Sequence, residues 1–212
     1  MKHILISNRW RTPDGTLLVS KYTHDFVSHK DANGDEYFVD GGNDYSRISL
    51  NDIPMTDECV YADDDFEKVR QSFLRGTFGC DKNGTDHRIW LSMNKMSDSH
   101  VCNTITYCGL DRDTYNIYNH LYVKELIYRL EKGLHVVDRK YTVDENDKSS
   151  QYETVPVVDK IEFNPKFEYC PNFEYITDML IQLSEKPKDK DIRENVYFEL
   201  KWLDYYWSQK HK

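Results

Sequence analysis

Residues 31–36 read Asp-Ala-Asn-Gly-Asp-Glu, and the Asn33-Gly34 pair at their centre constrains the fold more than any other feature of the chain. Asn-Gly between two apolar-rich runs marks a tight β-hairpin, because a two-residue type I′ turn needs positive φ at both central residues. The flanking runs, Asp25–Lys30 and Glu36–Asp40, have strand character. Upstream, "HILIS" and "LLVSKYT" are further strand candidates, separated by the turn chemistry of "TPDGT". "GGND" breaks the chain after the hairpin and "YSRISL" resumes it. Residues 51–64 read as an acidic loop.

Helical patterning then takes over. "DDDFEKVRQSFLRG" opens with acids suited to a helix N-terminus and closes on Gly76, with Phe66, Val69 and Phe73 on one face. "RIWLS" is predicted as a strand after the polar loop "GCDKNGTDH". Ser97 is placed to cap a helix carrying Val101, Ile105 and Cys108. The spacing of Tyr115, Tyr118, Tyr122, Leu126 and Leu130 predicts a helix over 112–132, capped by Asp111 and stopped at Gly133. Phe173, Ile176, Leu180 and Leu183 mark a helix ending before Pro187. The last helix, 190–209, carries Ile192, Val196, Leu200, Leu203 and Trp207 on one face and Phe198, Trp202 and Tyr205 on another. Strands and helices segregate instead of alternating, which predicts an α+β fold: an N-terminal antiparallel β-sheet, with helices contributed mainly by residues 66–133 and 172–209. The expected division is an α+β domain over 1–134 and a mostly helical region over 135–212, with "DENDKSSQ" at 144–151 as a hinge.

The chain of 212 residues carries a formal net charge of −9, and residues 1–70 hold fourteen acids against eight bases. An acidic surface repels phosphate backbones, so direct DNA or RNA binding is not expected. The five cysteines form no Cys-x-x-Cys pair, the N-terminus lacks a signal-peptide core, and no apolar run is long enough to span a bilayer. These features place the protein in a reducing cytoplasm with free thiols, away from membranes.

Candidate chemistry concentrates in residues 24–47. Adjacent His24 and Asp25, with His29 and Asp40, have the residue types of a metal-dependent phosphohydrolase or nuclease. Neighbouring side chains on a strand point to opposite faces, however, which argues against His24 and Asp25 sharing one ion. Three Asp-x-Asn runs, at Asp31, Asp81 and Asp144, start like calcium loops, but Gly34 and Gly84 fall at position 4 instead of 6 and none of the three has the closing glutamate. No nucleophile elbow, P-loop or dinucleotide fingerprint is present. Cys102 and Cys108 read as helix-face thiols. Around the tyrosine stripe, Arg112, Lys124 and Arg129 are available as phosphate contacts if a signalling nucleotide is bound. The doubly apolar last helix predicts a homodimer interface at Phe198, Trp202 and Tyr205, since aromatic residues are enriched at interface centres. No metal and no cofactor are expected.

Two segments, "ISNRWRTPDGTLLVSKYTHDFVSHKDANGDEYFVDGGNDYSR" and "DDDFEKVRQSFLRGTFG…IWLSMNKMSDSHVCNTITY…YVKELIYR", together resemble uncharacterised accessory proteins of tailed, T4-like bacteriophages, over roughly residues 4–133. The resemblance implies a viral origin and an accessory role in the host cytoplasm, and carries over no catalytic residue. The expected function is therefore non-enzymatic: binding and neutralising a host factor, as an anti-defence inhibitor. The rivals are the metal-dependent phosphohydrolase and a sponge that sequesters a signalling nucleotide. The expected partner is a host protein or a small signalling nucleotide.

Overall fold

A computed structural model describes residues 3–80, 85–108, 116–136, 152–154 and 172–210. The Asn-Gly hairpin forms: β3 (Val27–Lys30) pairs antiparallel with β4 (Glu36–Asp40), with His29 opposite Tyr37 and Lys30 opposite Glu36. Its turn differs from the expected type I′. Only Gly34 takes positive φ, at 95°, and Asn33 does not. Instead, Gly34 N–H donates to Asp31 C=O, and the Asp31 carboxylate accepts from the backbone N–H of both Asn33 and Asp35 at 2.9 Å. An aspartate that caps the turn with its own side chain lets three residues close the hairpin, with glycine alone in the left-handed position.

The chain divides into two compact units, residues 1–75 and 76–212, whereas the sequence pattern placed the division after residue 134. In the first unit β1 (Leu5–Arg11) is central to an antiparallel sheet. It pairs with β2 (Leu17–Ser20) on one side and with β6 (Thr56–Asp57) and β7 (Val60–Tyr61) on the other. A second sheet has the order β3-β4-β5, with β5 at Arg47–Ile48. Between the sheets Leu18, Tyr37, Val39 and Met55 form the core, packed against Trp10, Val27 and Ile48. Residues 51–64, expected as loop, thus contribute two short strands to β1. The strand expected at "HILIS" runs on through Asn8, because β1 continues its ladder with β2 up to Arg11.

The short helix α1 (Phe66–Ser72) is capped by Asp65, whose side chain accepts from Glu67 N–H. It does not reach Gly76. The chain turns extended at Phe73 and continues as β8 (Leu74–Cys80), which pairs with β9 (Asp86–Ser92). Gly76 has a packing reason to lie in a strand: a Cβ there would sit 3.3 Å from the Trp90 ring, so the missing side chain lets the indole lie across the backbone.

In the second unit α2 (Asp98–Cys108) follows a 3-10 turn at Met93–Lys95, and the Ser97 hydroxyl accepts from His100 N–H as its cap. Helix α3 (Ile117–Lys132) starts on Asn116, whose side chain accepts from Tyr118 and Asn119 N–H, and stops on left-handed Gly133 at φ 62°. The stop is the one expected; the observed cap is Asn116, and Asp111, Arg112 and Tyr115 lie outside the described residues. Beyond it β10 (Leu134–Val136) pairs with β11 (Tyr152–Thr154), and α4 (Phe173–Glu185) and α5 (Lys190–Lys210) complete the unit. The 144–151 hinge also lies outside the described residues. Helix α2 packs on α3 and α4, and α5 packs on both of those. Val101, Ile105, Leu121, Leu126, Leu180 and Leu200 are sealed among them. The fold is α+β, with antiparallel sheets at the N-terminal end and helices following.

Candidate functional site

Of the candidate residues in segment 24–47, His29 sits near the turn of the β3-β4 hairpin, opposite Tyr37. His24, Asp25 and Asp40 sit at the end remote from that turn, where two loops, 21–26 and 41–46, meet. Asn8 holds them from below. Fully buried in β1, its amide donates to the Asp40 and Tyr45 carbonyls at 3.0 and 3.1 Å and accepts from Trp10 Nε1 and the Ser46 hydroxyl. A buried amide with all four bonds made fixes its neighbours in one arrangement. Ser20 adds a second clamp, donating to Asp25 C=O and accepting from Gly42 N–H, both at 2.8 Å. The Thr23 hydroxyl donates to Asp44, tying loop to loop. Gly42, at φ 58°, has no room for a side chain: a Cβ would lie 2.3 Å from the Tyr22 carbonyl carbon. His24 is held at φ 67°, alone among the described non-glycine residues in that region.

This scaffold sends the four proposed metal ligands to different partners. The His24 ring faces the Tyr45 hydroxyl at 3.4 Å. Asp25 Oδ2 accepts from Lys21 N–H at 2.7 Å. His29 Nε2 lies 2.6 Å from Asp14 Oδ2. The Thr12 hydroxyl, His29 and the Thr16 N–H together hold Asp14 well below the usual carboxylate range. Asp40 pairs with Arg47 at 2.6 Å. Among the described residues no group of three or more His, Cys, Asp or Glu side chains is arranged to hold a metal ion. The rival metal-hydrolase reading needs His24, Asp25, His29 and Asp40 to converge, and each of them instead meets a different partner.

What the loops and the outer face of the β3-β4-β5 sheet do assemble is an aromatic surface. Tyr37 and Val39 point into the core, so Phe38, between them, points outward and stacks on Phe26 at 5.1 Å. Asp40 follows Phe38 on the same face, beside Arg47, with the Tyr45 hydroxyl 3.4 Å from its Oδ2. Asp40 is buried, and its Oδ1 has no hydrogen-bond partner among the described residues. Phe26 is 53 % exposed.

The second unit holds a polar cluster that the sequence did not announce. Arg129, expected as a phosphate contact, is 1 % exposed. Its guanidinium donates to Glu125 at 2.7 Å, to Asp98 at 2.8 Å, and to the Met96 and Met93 carbonyls at 2.8 and 2.9 Å. His135 Nδ1 lies 2.7 Å from the other Asp98 oxygen. Burial alone would raise the Asp98 carboxyl; the His135 bond and the Arg129 charge outweigh it and hold it below the usual aspartate value. The phosphate reading of Arg129 is corrected, because its guanidinium is buried and already donates to two carboxylates and two backbone carbonyls of the protein. Arg112 lies outside the described residues. Lys124 is half-buried and contributes to the field that lowers Asp204.

The interface reading of α5 is corrected in part. Trp202 is buried within the chain itself, packed edge-to-face with Phe198 at 6.4 Å and Tyr205 at 5.8 Å. Trp207, on the other apolar face of α5, meets α3, where buried His120 stacks on it at 5.0 Å and pairs with Asp204 at 2.9 Å. Of the three expected interface residues only Phe198 is exposed. The buried thiols are unreactive: burial pushes Cys59 up to about 11, and Cys102 higher still.

No protein-family model matches the chain, and neither a curated protein nor a solved structure does so. No helix of the described residues is long and apolar enough to cross a membrane.

Proposed function

We propose that this chain is a non-enzymatic bacteriophage accessory protein that binds and neutralises a host factor, acting as an inhibitor of antiviral defence in the host cytoplasm. The observation that carries this reading is the outer face of the β3-β4-β5 sheet. There exposed Phe26 stacks on half-buried Phe38, at the end of the hairpin where Asp40 and the loops braced by Asn8 and Ser20 lie. A preorganised aromatic surface with a polar margin is the kind of patch that protein interfaces use as an anchor. The biological setting is an expectation drawn from the sequence alone, from the resemblance of residues 4–133 to T4-like phage accessory proteins.

The test is genetic and biochemical together. A phage lacking the gene should plate poorly on a host carrying the relevant defence and normally on one without it. The tagged protein should retain a host protein from infected cells in near-equal amount. Normal growth of the deletion phage on every defended host, with nothing retained, contradicts the proposal.

A further inference from the structure

We propose that the outer face of the β3-β4-β5 sheet is a docking site for an arginine-bearing segment of a partner protein, with Phe26 and Phe38 receiving the guanidinium and the acidic margin steering it. The inference rests on the binding function proposed above and names the chemistry of the partner.

Three observations carry it. First, the exposed large apolar side chains of the first unit all fall in residues 22–53: Tyr22, Phe26, Tyr45, Leu50 and Ile53. Singly scattered apolar residues need no explanation, and what singles out this segment is that Phe26 stacks on Phe38 and the two rings adjoin on the surface. Secondly, the same segment contains seven acids against two bases, Lys30 and Arg47. Arg47 is already committed to Asp40, so the local field is negative where the aromatic rings are bare. Thirdly, Asp40 is engaged through Oδ2 alone. Its buried Oδ1 has no hydrogen-bond partner among the described residues, so one acceptor at the edge of this sheet is left over after the Arg47 pair is made.

An aromatic face in a negative field selects a cation with a flat, weakly hydrated head. Guanidinium stacks on a ring and keeps its in-plane donors for carboxylates, whereas ammonium is compact and strongly hydrated. A nucleic acid or nucleotide would meet the same rings through stacking but would bring its phosphates against the acids. Arginine on a protein segment is the occupant that satisfies both features.

The experiment uses the full chain and a fluorescein-labelled peptide of alternating arginine and glycine, with a lysine-glycine peptide and a thymidine oligonucleotide of equal length alongside. Fluorescence anisotropy should show the arginine peptide bound more tightly than the other two. Phe26→Ala should weaken that binding about tenfold at physiological salt, where surface charge is screened. Phe78→Ala removes a more exposed ring in residues 76–212 and should leave the affinity unchanged. Glu36→Gln should weaken binding at low salt and much less at physiological salt. Equal affinity of wild type and Phe26→Ala overturns the inference, as does preference for the oligonucleotide. Self-association in light scattering that Phe26→Ala abolishes assigns the face to a second copy and overturns it too. Retention of a host protein by wild type and Phe26→Ala alike removes this face from the account while leaving the binding function. Retention by neither removes the binding function itself.

Discussion

The Arg129 guanidinium donates to the Asp98 carboxylate over 2.8 Å, with the two side chains 1 % and 4 % exposed. The pair joins α3 to the first turn of α2, and Glu125, His135 and two backbone carbonyls complete its coordination. Removing one member of a buried, fully bonded ion pair leaves the others charged and unsolvated, which costs about 3–5 kcal/mol. Arg129→Met should therefore lower the stability of the protein by that order in urea denaturation. Arg129→Lys should recover little of it, because an ammonium cannot reach four acceptors through a planar fork. Near-wild-type stability of Arg129→Met contradicts a structural role for the network.

Acid sensitivity follows from the same residue pair. The folded-state value of Asp98 lies below the unfolded one, so in the window between them the unfolded chain binds the extra proton and stability rises with pH. The Asp98 contribution is complete above the unfolded aspartate value of about 3.9 and is lost as pH falls through the lower folded value. Urea midpoints of wild type and Asp98→Asn across that acid range should draw together as pH falls. Parallel curves would show that Asp98 is not a source of the acid sensitivity.

Two glycines separate strain from collision. Gly34, at φ 95°, has only the Lys30 side chain at 3.8 Å, so Gly34→Ala carries backbone strain alone, about 1–2 kcal/mol. Gly42→Ala adds a clash with Tyr22 backbone that no side-chain rotation relieves. Thermal unfolding should show Gly42→Ala as much the more damaging of the two. A mild effect at Gly42 would mean that loops 21–26 and 41–46 do not meet as described.

Trp202 is core, and its truncation should behave so. Trp202→Ala is expected to cost about 3–5 kcal/mol with cooperative loss of helical signal. Light scattering before unfolding should show unchanged mass. A shift from dimer to monomer with intact circular dichroism would restore Trp202 to an interface.

The sequence made the hairpin legible because Asn-Gly has few alternatives, and it made α3 legible because Gly133 and the 3.6-residue stripe agree. The end of α1 was not legible. Phe73 continued the helical spacing, whereas the chain leaves the helix there and Gly76 falls in a strand under the Trp90 ring, a contact remote in sequence. The candidate site was half visible for a similar reason. Its acids and histidines stood out by type, but their separation depends on Asn8 and Ser20, ordinary polar residues in strands whose partners lie up to 38 positions away. Arg129 misled because a charged residue beside a helical stripe reads as exposed. Its i,i+4 partner Glu125, inside the stripe, was the available signal that both were buried.

The account turns on whether this protein acts by occupying a partner. The most direct measurement is binding between the purified full chain and the host protein it retains from infected cells, by calorimetry, with wild type and Phe26→Ala compared. A saturable one-to-one complex, with no chemical change in the partner by intact mass and weakened by Phe26→Ala, is the predicted result. A partner covalently altered or cleaved by catalytic amounts of the protein would contradict it.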